Sequence, residues 1–149
     1  MQQTWNDLSG HLADGGHVLA VRVYYEDTDF TGLVYHGSYV RFFERGRSDF
    51  LRLCGIHHAE LGAGLHGPAL AFAVRQLNVS YLRPARIDDV LEIRTQLVEA
   101  RGARIRLLQR ALRADELLAE ADVTVAVITA DGRPTRLPAH LAQRLENKA

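Results

Sequence analysis

Cysteine and lysine are among the residue types nearly missing from this chain of 149 residues: it has one cysteine, Cys54, and one lysine, Lys148. A single cysteine excludes an internal disulfide and suits a reducing compartment. Cys54 closes an apolar run just before Gly55, so it reads as a packing residue rather than a nucleophile. Charge of one sign is also lacking, because 18 basic side chains balance 18 acidic ones. A net charge of zero provides no field to draw in nucleic acid or an anionic membrane surface. No stretch approaches the run of about 18 apolar residues that a membrane span requires. The opening "MQQTWNDLSGHLADGG" has neither the basic start nor the apolar core of a signal peptide, so a cytoplasmic protein is expected.

With 47% apolar and 24% charged residues, the chain has the makings of a core and the length of one ordinary domain. Residues 1–16 are polar and glycine-containing and predict a flexible arm, leaving 17–149 as a single domain. "HVLAVRVYY" alternates and is rich in β-branched residues, which predicts a strand over His17–Tyr25. Next, "GSYVRFFERGRSDFLRLCG" places Tyr39, Phe42, Phe43, Phe50 and Leu53 on one helical stripe. The spacing predicts a helix of about five turns, with Ser38 as N-cap and Gly55 just past its end. Gly46 falls on the same stripe, where a missing side chain lets the helix approach a sheet closely.

From residue 67 onward the period changes to two. Four further strands are predicted, separated by turn chemistry at Arg101-Gly102, Ala114-Asp115 and Asp131-Gly132. "LPAHLAQRLENKA" suits a short terminal helix. Short connections make the strands antiparallel, and a lone amphipathic helix has only the sheet to bury its stripe against. The expected fold is therefore α+β, a hotdog, with a five-stranded antiparallel sheet wrapped around one long central helix.

The chemistry concentrates in "YYEDTDFTGLVYHGSY", where Glu26, Asp27 and Asp29 crowd within four positions ahead of the helix. Acids at a helix N-terminus are favoured by its dipole, which accounts for one or two of them but not for the aromatic and histidine residues around them. "DTDFT" fits the Asp-x-Asp-x-Thr pattern of haloacid-dehalogenase-type phosphatases. That chemistry needs a downstream lysine and more acids on alternating β/α units, whereas the sole lysine, Lys148, is next to last and the downstream chain reads as consecutive strands. The seven histidines lack the cysteine pair and ligand spacing of a zinc site. "LGAGLHG" lacks the Lys-Ser/Thr of a phosphate loop. One arrangement uses the whole cluster: a strand delivers Tyr25 and Asp29 beside a helix start with His36 at its threshold. The unpaired amides there favour developing negative charge, and a carboxylate can attack a carbonyl or activate water. Acyl transfer from a thioester fits, since its leaving group needs little acid help.

"VRVYYEDTDFTGLVYHGSYVRFFERGRSDFLR" closely resembles the signature of YbgC-type acyl-CoA thioesterases, in the 4-hydroxybenzoyl-CoA thioesterase branch of the hotdog superfamily. The likeness continues through "LAFAVRQLNVSYLRPARIDDVLEIRT", so it spans about residues 18–130. The resemblance implies hydrolysis of acyl-CoA without metal or bound cofactor, with Asp29 as nucleophile or general base. It implies His36 as a second essential group whose amide polarises the thioester carbonyl, with Tyr25 lining the site and positioning the carboxylate. Tyr35, beside His36 in the same string, is expected to contact substrate. Arg83 and Arg86 are candidates for the coenzyme A phosphates, with Arg75 behind them. Glu44 occupies the helix position where some related hotdog enzymes carry their acid, and is expected here to pair with an arginine such as Arg45 or Arg47. Asp27 is expected to brace the loop. Phe30 stands where such sequences often carry alanine or proline, which narrows the expected acyl pocket. The resemblance also implies a homodimer or homotetramer with sites at subunit interfaces, and acyl carrier protein as an alternative carrier of the acyl group. A non-catalytic acyl-thioester binder within an envelope complex stays open as the alternative. A hotdog dehydratase shares the fold, but its His and acid belong to a different motif that is absent here.

Overall fold

The computed structural model describes residues 4–13 and 15–148; Met1–Gln3, Asp14 and Ala149, which belong to the expected arm and the end of the terminal helix, lie outside the described residues. The elements are β1 (His11–Ala13), β2 (Gly16–Arg22), α1 (His36–Leu53), α2 (His58–Gly62), β3 (Leu70–Tyr81), β4 (Val90–Arg101), β5 (Arg104–Arg113), β6 (Glu116–Thr129) and α3 (Ala139–Lys148). The strands form one antiparallel sheet in the order β1-β2-β4-β5-β6-β3. The sheet therefore has six strands rather than five. The sixth comes from the expected arm, where His11 and Ala13 pair with Val18 and Gly16. It is held partly by His17, whose buried Nε2–H donates to the Ser9 carbonyl at 2.6 Å.

Alternation explains the strands. Along β6, Ala119, Ala121, Val123, Val125 and Val127 all face inward, while Glu120 and Asp122 face outward and pair with Arg110 and Arg106 of β5. α1 lies chiefly across β2 and β4, burying Tyr39, Phe42, Phe43, Phe50 and Leu51. Gly46 is the point of closest approach: a Cβ there would sit 2.7 Å from Ile93 Cγ2. Beneath it the buried Gln109 side chain donates to the Phe43 carbonyl and to Thr95 Oγ1, each at 2.8 Å. This polar bridge fastens the helix backbone to the sheet where no side chain intervenes. Cys54 is buried and its thiol is pushed up to about 11 by burial, which leaves it inert at neutral pH.

The start of α1 differs from the expectation. Tyr35, not Ser38, is the N-cap, extended at φ −61°, ψ 134°. Its carbonyl accepts the Ser38 N–H at 2.8 Å, while the Ser38 hydroxyl donates to the Asp27 carbonyl at 3.0 Å. A tertiary acceptor eleven residues upstream has drawn the serine out of the capping role.

Candidate active site

After β2 the chain is anchored to the loop before β4 by Val23 N–H to the Asp89 carbonyl at 2.8 Å. It then makes a 3₁₀ turn, Tyr25–Asp27. Asp27 is buried inside this turn and does the bracing its position suggested. Its Oδ2 accepts the Tyr24 N–H at 2.8 Å, and its carbonyl accepts the Tyr35 N–H at 2.9 Å. Residues 28–34 form a miniature hairpin closed by the bridge Thr28–Val34. At its tip the Gly32 N–H donates to the Asp29 carbonyl at 3.1 Å. Gly32 has φ +76°, a left-handed conformation that glycine adopts without strain.

Asp29 is exposed on this turn. Thr31 holds its Oδ1 twice, by hydroxyl at 2.5 Å and by amide at 2.9 Å. The Thr31 hydroxyl, then the Thr31 amide, hold the carboxyl below the usual carboxylate range, and the nearby His36 adds to the effect. The group is thus an ionised, acceptor-only carboxylate with one oxygen committed to Thr31. His36 begins α1 between two tyrosines: the Tyr35 ring lies 4.4 Å away, and Tyr81 meets it edge-on at 6.1 Å. The Tyr81 hydroxyl donates to the His36 carbonyl at 3.0 Å, clamping β3 to the helix start. Among the described residues no protein acceptor takes the N–H of His36 or of Gly37. A shallow groove of about 270 Å³ opens here, lined by Leu33, His36, Tyr39, Tyr81, Leu82 and Pro84. The arrangement joins a fixed anion to free amide donors beside an open groove, which suits addition to a polarised carbonyl.

The other expected residues are placed as follows. Tyr35 lines the helix start and is half exposed. Tyr25 points outward at 84% exposure, and among the described residues its hydrogen bonds come only from its carbonyl, which accepts the Thr28 amide and hydroxyl. Arg83 borders the groove but pairs with Glu116 at 3.1 Å. Glu116 is shared with Arg113, which also reaches Asp89 at 2.8 Å. Arg86 is exposed close by, and its amide donates to Asp89 Oδ2 at 2.9 Å. Arg75 is not brought to this site. It lies six residues before Tyr81, about 20 Å along the strand, in a separate cleft of about 580 Å³ with Arg101, Arg104 and Arg136. Glu44 makes no ion pair among the described residues, contrary to the expected arginine pairing; it accepts the Ser48 hydroxyl at 3.1 Å.

Two residues of the site carried no clear signal in the sequence. Thr31 was legible only as the end of an Asx turn in "DFTG", and Tyr81 reaches His36 from 45 positions away. Among the described residues no group of three or more His, Cys, Asp or Glu side chains could hold a metal ion, and no helix is long and apolar enough to cross a membrane. Tyr81 and Leu82, which line the groove, are exposed, as are Tyr35 at the helix start and Tyr24, Tyr25 and Phe30 on the preceding turns.

A six-stranded antiparallel sheet curled about one helix, with an acid and a histidine at that helix's start, defines a hotdog protein of the thioesterase kind. Residues 23–145 match the thioesterase-like superfamily, and the chain belongs to that family. It is 47% identical over 109 residues to the acyl-CoA thioester hydrolase YbgC of Escherichia coli O6:H1, covering 72% of this chain and 78% of that protein. It is 41% identical over 117 residues to the acyl-CoA thioesterase YbgC of Haemophilus influenzae, covering 78% and 84%. A crystal structure described as a probable thioesterase from Bartonella henselae superposes with a TM-score of 0.80 at 44% identity, over 83% of this chain and 99% of that one.

Proposed function

We propose that this chain hydrolyses acyl-CoA thioesters with Asp29 as the reacting carboxylate and the start of α1 as the oxyanion site. The observation that supports this most is the pairing of an exposed, Thr31-held carboxylate with the unclaimed amides of His36 and Gly37. In this reading the thioester carbonyl oxygen sits against those amides, which stabilise the charge that forms on it. Asp29 adds to the carbonyl carbon, or removes a proton from the water that does. The C–S bond then breaks and coenzyme A leaves as thiolate, which takes up a proton. In the covalent route water then cleaves the acyl–Asp29 anhydride at the Asp29 carboxyl carbon, whereas in the other route the activated water itself supplies the new acid oxygen. His36 orients the substrate or assists proton transfer, with Tyr35 beside it against the substrate.

Arg83 and Arg86 flank the groove and are the side chains we assign to the coenzyme A phosphates. Arg75 would serve only from its separate cleft. Tyr25, being so exposed, would line the site only once a second copy covers it. A homodimer, or a tetramer built from dimers, is therefore part of the proposal. The unpaired outer edge of β3 and the exposed Tyr81 and Leu82 beside the groove are suited to such a contact. We also propose that the enzyme works in the cytoplasm without metal or bound cofactor, and that acyl carrier protein can present the same thioester.

The test is free-thiol release from a panel of acyl-CoAs by wild type and Asp29→Asn. The expected result is a loss of about 10²–10⁴ in kcat, the usual range for such a group, with coenzyme A still bound. Binding without thiol release at any chain length would favour the non-catalytic binder. Single turnover in oxygen-18 water separates the two routes, because only the covalent one labels Asp29.

A further inference from the structure

The end of the sheet away from the groove carries a group of unpaired arginines. Tyr81, at the groove, opposes Ala119, which in turn opposes Ala111. Arg104 stands seven residues from Ala111 along β5, about 23 Å away. It follows the two-residue turn Gly102-Ala103 and lies directly opposite Arg101. Side chains so placed have Cβ atoms about 5 Å apart, and like charges there repel. Elsewhere on β5 the outward charges are neutralised, since Arg106 pairs with Asp122 and Arg110 with Glu120. Opposite Arg104, β6 supplies Ala126 instead. Arg136 joins the group from the segment after β6. Among the described residues none of these three arginines makes an ion pair or a side-chain hydrogen bond.

Two clefts meet around them. The one of about 580 Å³ has Glu99 as its single carboxylate. The other, of about 560 Å³, has an apolar floor that includes Ala100, Leu137, Pro138 and Ala142, and no acid. Both volumes suit a small molecule. Three guanidinium groups against one carboxylate leave a local charge of +2 on a chain whose net charge is zero. Arg75 also borders the first cleft, but it lies on β3, whose free edge belongs to the contact with a second copy, and it is not counted. α3 begins here at Ala139, so its dipole adds to the field that the guanidinium groups set up.

The ligand chemistry follows from charge and floor together. A single carboxylate supplies one negative charge and leaves much of the repulsion between Arg101 and Arg104 in place. A phosphate group supplies about two, and its oxygens match the guanidinium fork. Two linked phosphates can engage all three arginines. The apolar floor beside them receives an uncharged body, and guanidinium planes stack on aromatic rings. Phosphates joined to a planar aromatic body describe a nucleoside diphosphate. A bilayer surface fits less well, because the large apolar side chains bordering the clefts, Ile105, Val125 and Leu137, are buried and cannot enter it.

We propose that these joined clefts bind a nucleoside diphosphate, with Arg101, Arg104 and Arg136 on the phosphates and the base on the apolar floor. The site is separate from the groove and does not depend on hydrolysis there. Its test is calorimetric titration of the full chain at low ionic strength, in wild type, Arg104→Gln and Arg83→Gln. The probes are GDP and inorganic pyrophosphate, because ADP is part of coenzyme A and would also seek the groove. Wild type should bind GDP about tenfold more tightly than pyrophosphate, a factor that burial of about 60 Å² of apolar surface provides. Arg104→Gln should weaken GDP by about tenfold or more, the worth of a hydrogen bond between charged groups. Arg83→Gln should leave GDP binding unchanged. Without ligand, Arg104→Gln should raise the urea midpoint, because it relieves the repulsion with Arg101; an arginine kept for stability would lower it. Four results overturn the inference and leave the hydrolase standing. They are no GDP binding in wild type, pyrophosphate bound as tightly as GDP, GDP binding lost in Arg83→Gln but not in Arg104→Gln, and a lowered midpoint in Arg104→Gln.

Discussion

Replacing Gly46 by alanine sets two known effects against each other, and the geometry decides between them. In an unconstrained helix interior, glycine to alanine stabilises by about 1 kcal/mol. Here the new methyl would lie 2.7 Å from Ile93 Cγ2, 3.2 Å from Gln109 Nε2 and 3.3 Å from Thr95 Oγ1. Carbon atoms pack best at about 3.5–4.0 Å, so the first contact is too short by about 1 Å. Ile93 is fully buried and branches at Cβ, so its Cγ2 cannot swing aside. Overpacking of this kind costs about 1–3 kcal/mol. If Gln109 yields instead, a buried amide loses its bond to Thr95 or to the Phe43 carbonyl, at about 1–3 kcal/mol. Mid-range values on either route leave a net destabilisation of about 1 kcal/mol, or a Tm lower by about 2–4 °C for a chain of this length. Urea unfolding at fixed protein concentration measures it. In a cycle with Ile93→Ala, which deletes the colliding atom, the double variant should lose less than the two single losses together. A Gly46→Ala protein as stable as wild type, or more stable, would refute the reasoning, since propensity would then have outweighed packing.

Two further outcomes are expected. Thr31→Val removes the hydroxyl that contributes most to depressing the Asp29 pKa, so the acidic limb of the kcat/KM–pH profile should move to higher pH. An unmoved limb would mean that Asp29 is not the group titrating. Burial holds the His17 pKa below its ordinary value against the Ser9 carbonyl and Asp49, which favour its charged form, with His11 acting in the same direction as burial. Its Nδ1 has no hydrogen-bond partner among the described residues. The native state thus resists protonation that the unfolded chain accepts, so stability is full above about pH 6.5 and falls as pH drops toward the depressed native value. His17→Gln should flatten that decline in urea midpoints, leaving the losses from Asp89 and Glu116, whose pKa values are lowered, to appear below about pH 4. An unchanged slope between pH 7 and pH 5 would assign it elsewhere, with His58, also depressed by burial, the first alternative.

The long helix and its buried stripe were legible because the helical period persists over eighteen residues, and Gly46 stood out as the gap in that stripe. The four later strands announced themselves by alternation and by the turns between them. β1 did not, because three residues with a single large apolar side chain, Leu12, carry no measurable period. The five residues of α2 are too few for the same reason. The N-cap was misread because residue preference is a local rule. Ser38 met a competing carbonyl supplied by the 3₁₀ turn, which only the fold brings within reach. At the site, chain-neighbours such as Asp29 and His36 were placed by their motif. Tyr81 and the separation of Arg75 from Arg83 depend on where β3 begins and ends beside α1, a tertiary fact.

The fold also explains how three acids within four positions avoid working against each other. Repulsion among Glu26, Asp27 and Asp29 would raise the pKa of each if all three shared one face. Two tight turns separate them instead. The 3₁₀ turn folds Asp27 inward, where the Tyr24 amide supplies a donor and its charge is spent on holding the loop. Glu26 is left in solvent. The hairpin tip then turns Asp29 away, against Thr31 and toward His36. Asp27 fixes where α1 starts, through Tyr35 and Ser38, while Asp29 stays exposed and is held by Thr31. Loss of Asp27 should therefore disturb the amides as much as loss of Asp29 disturbs the carboxylate. Reading the acids as a uniform charged cluster would predict no such division of effect.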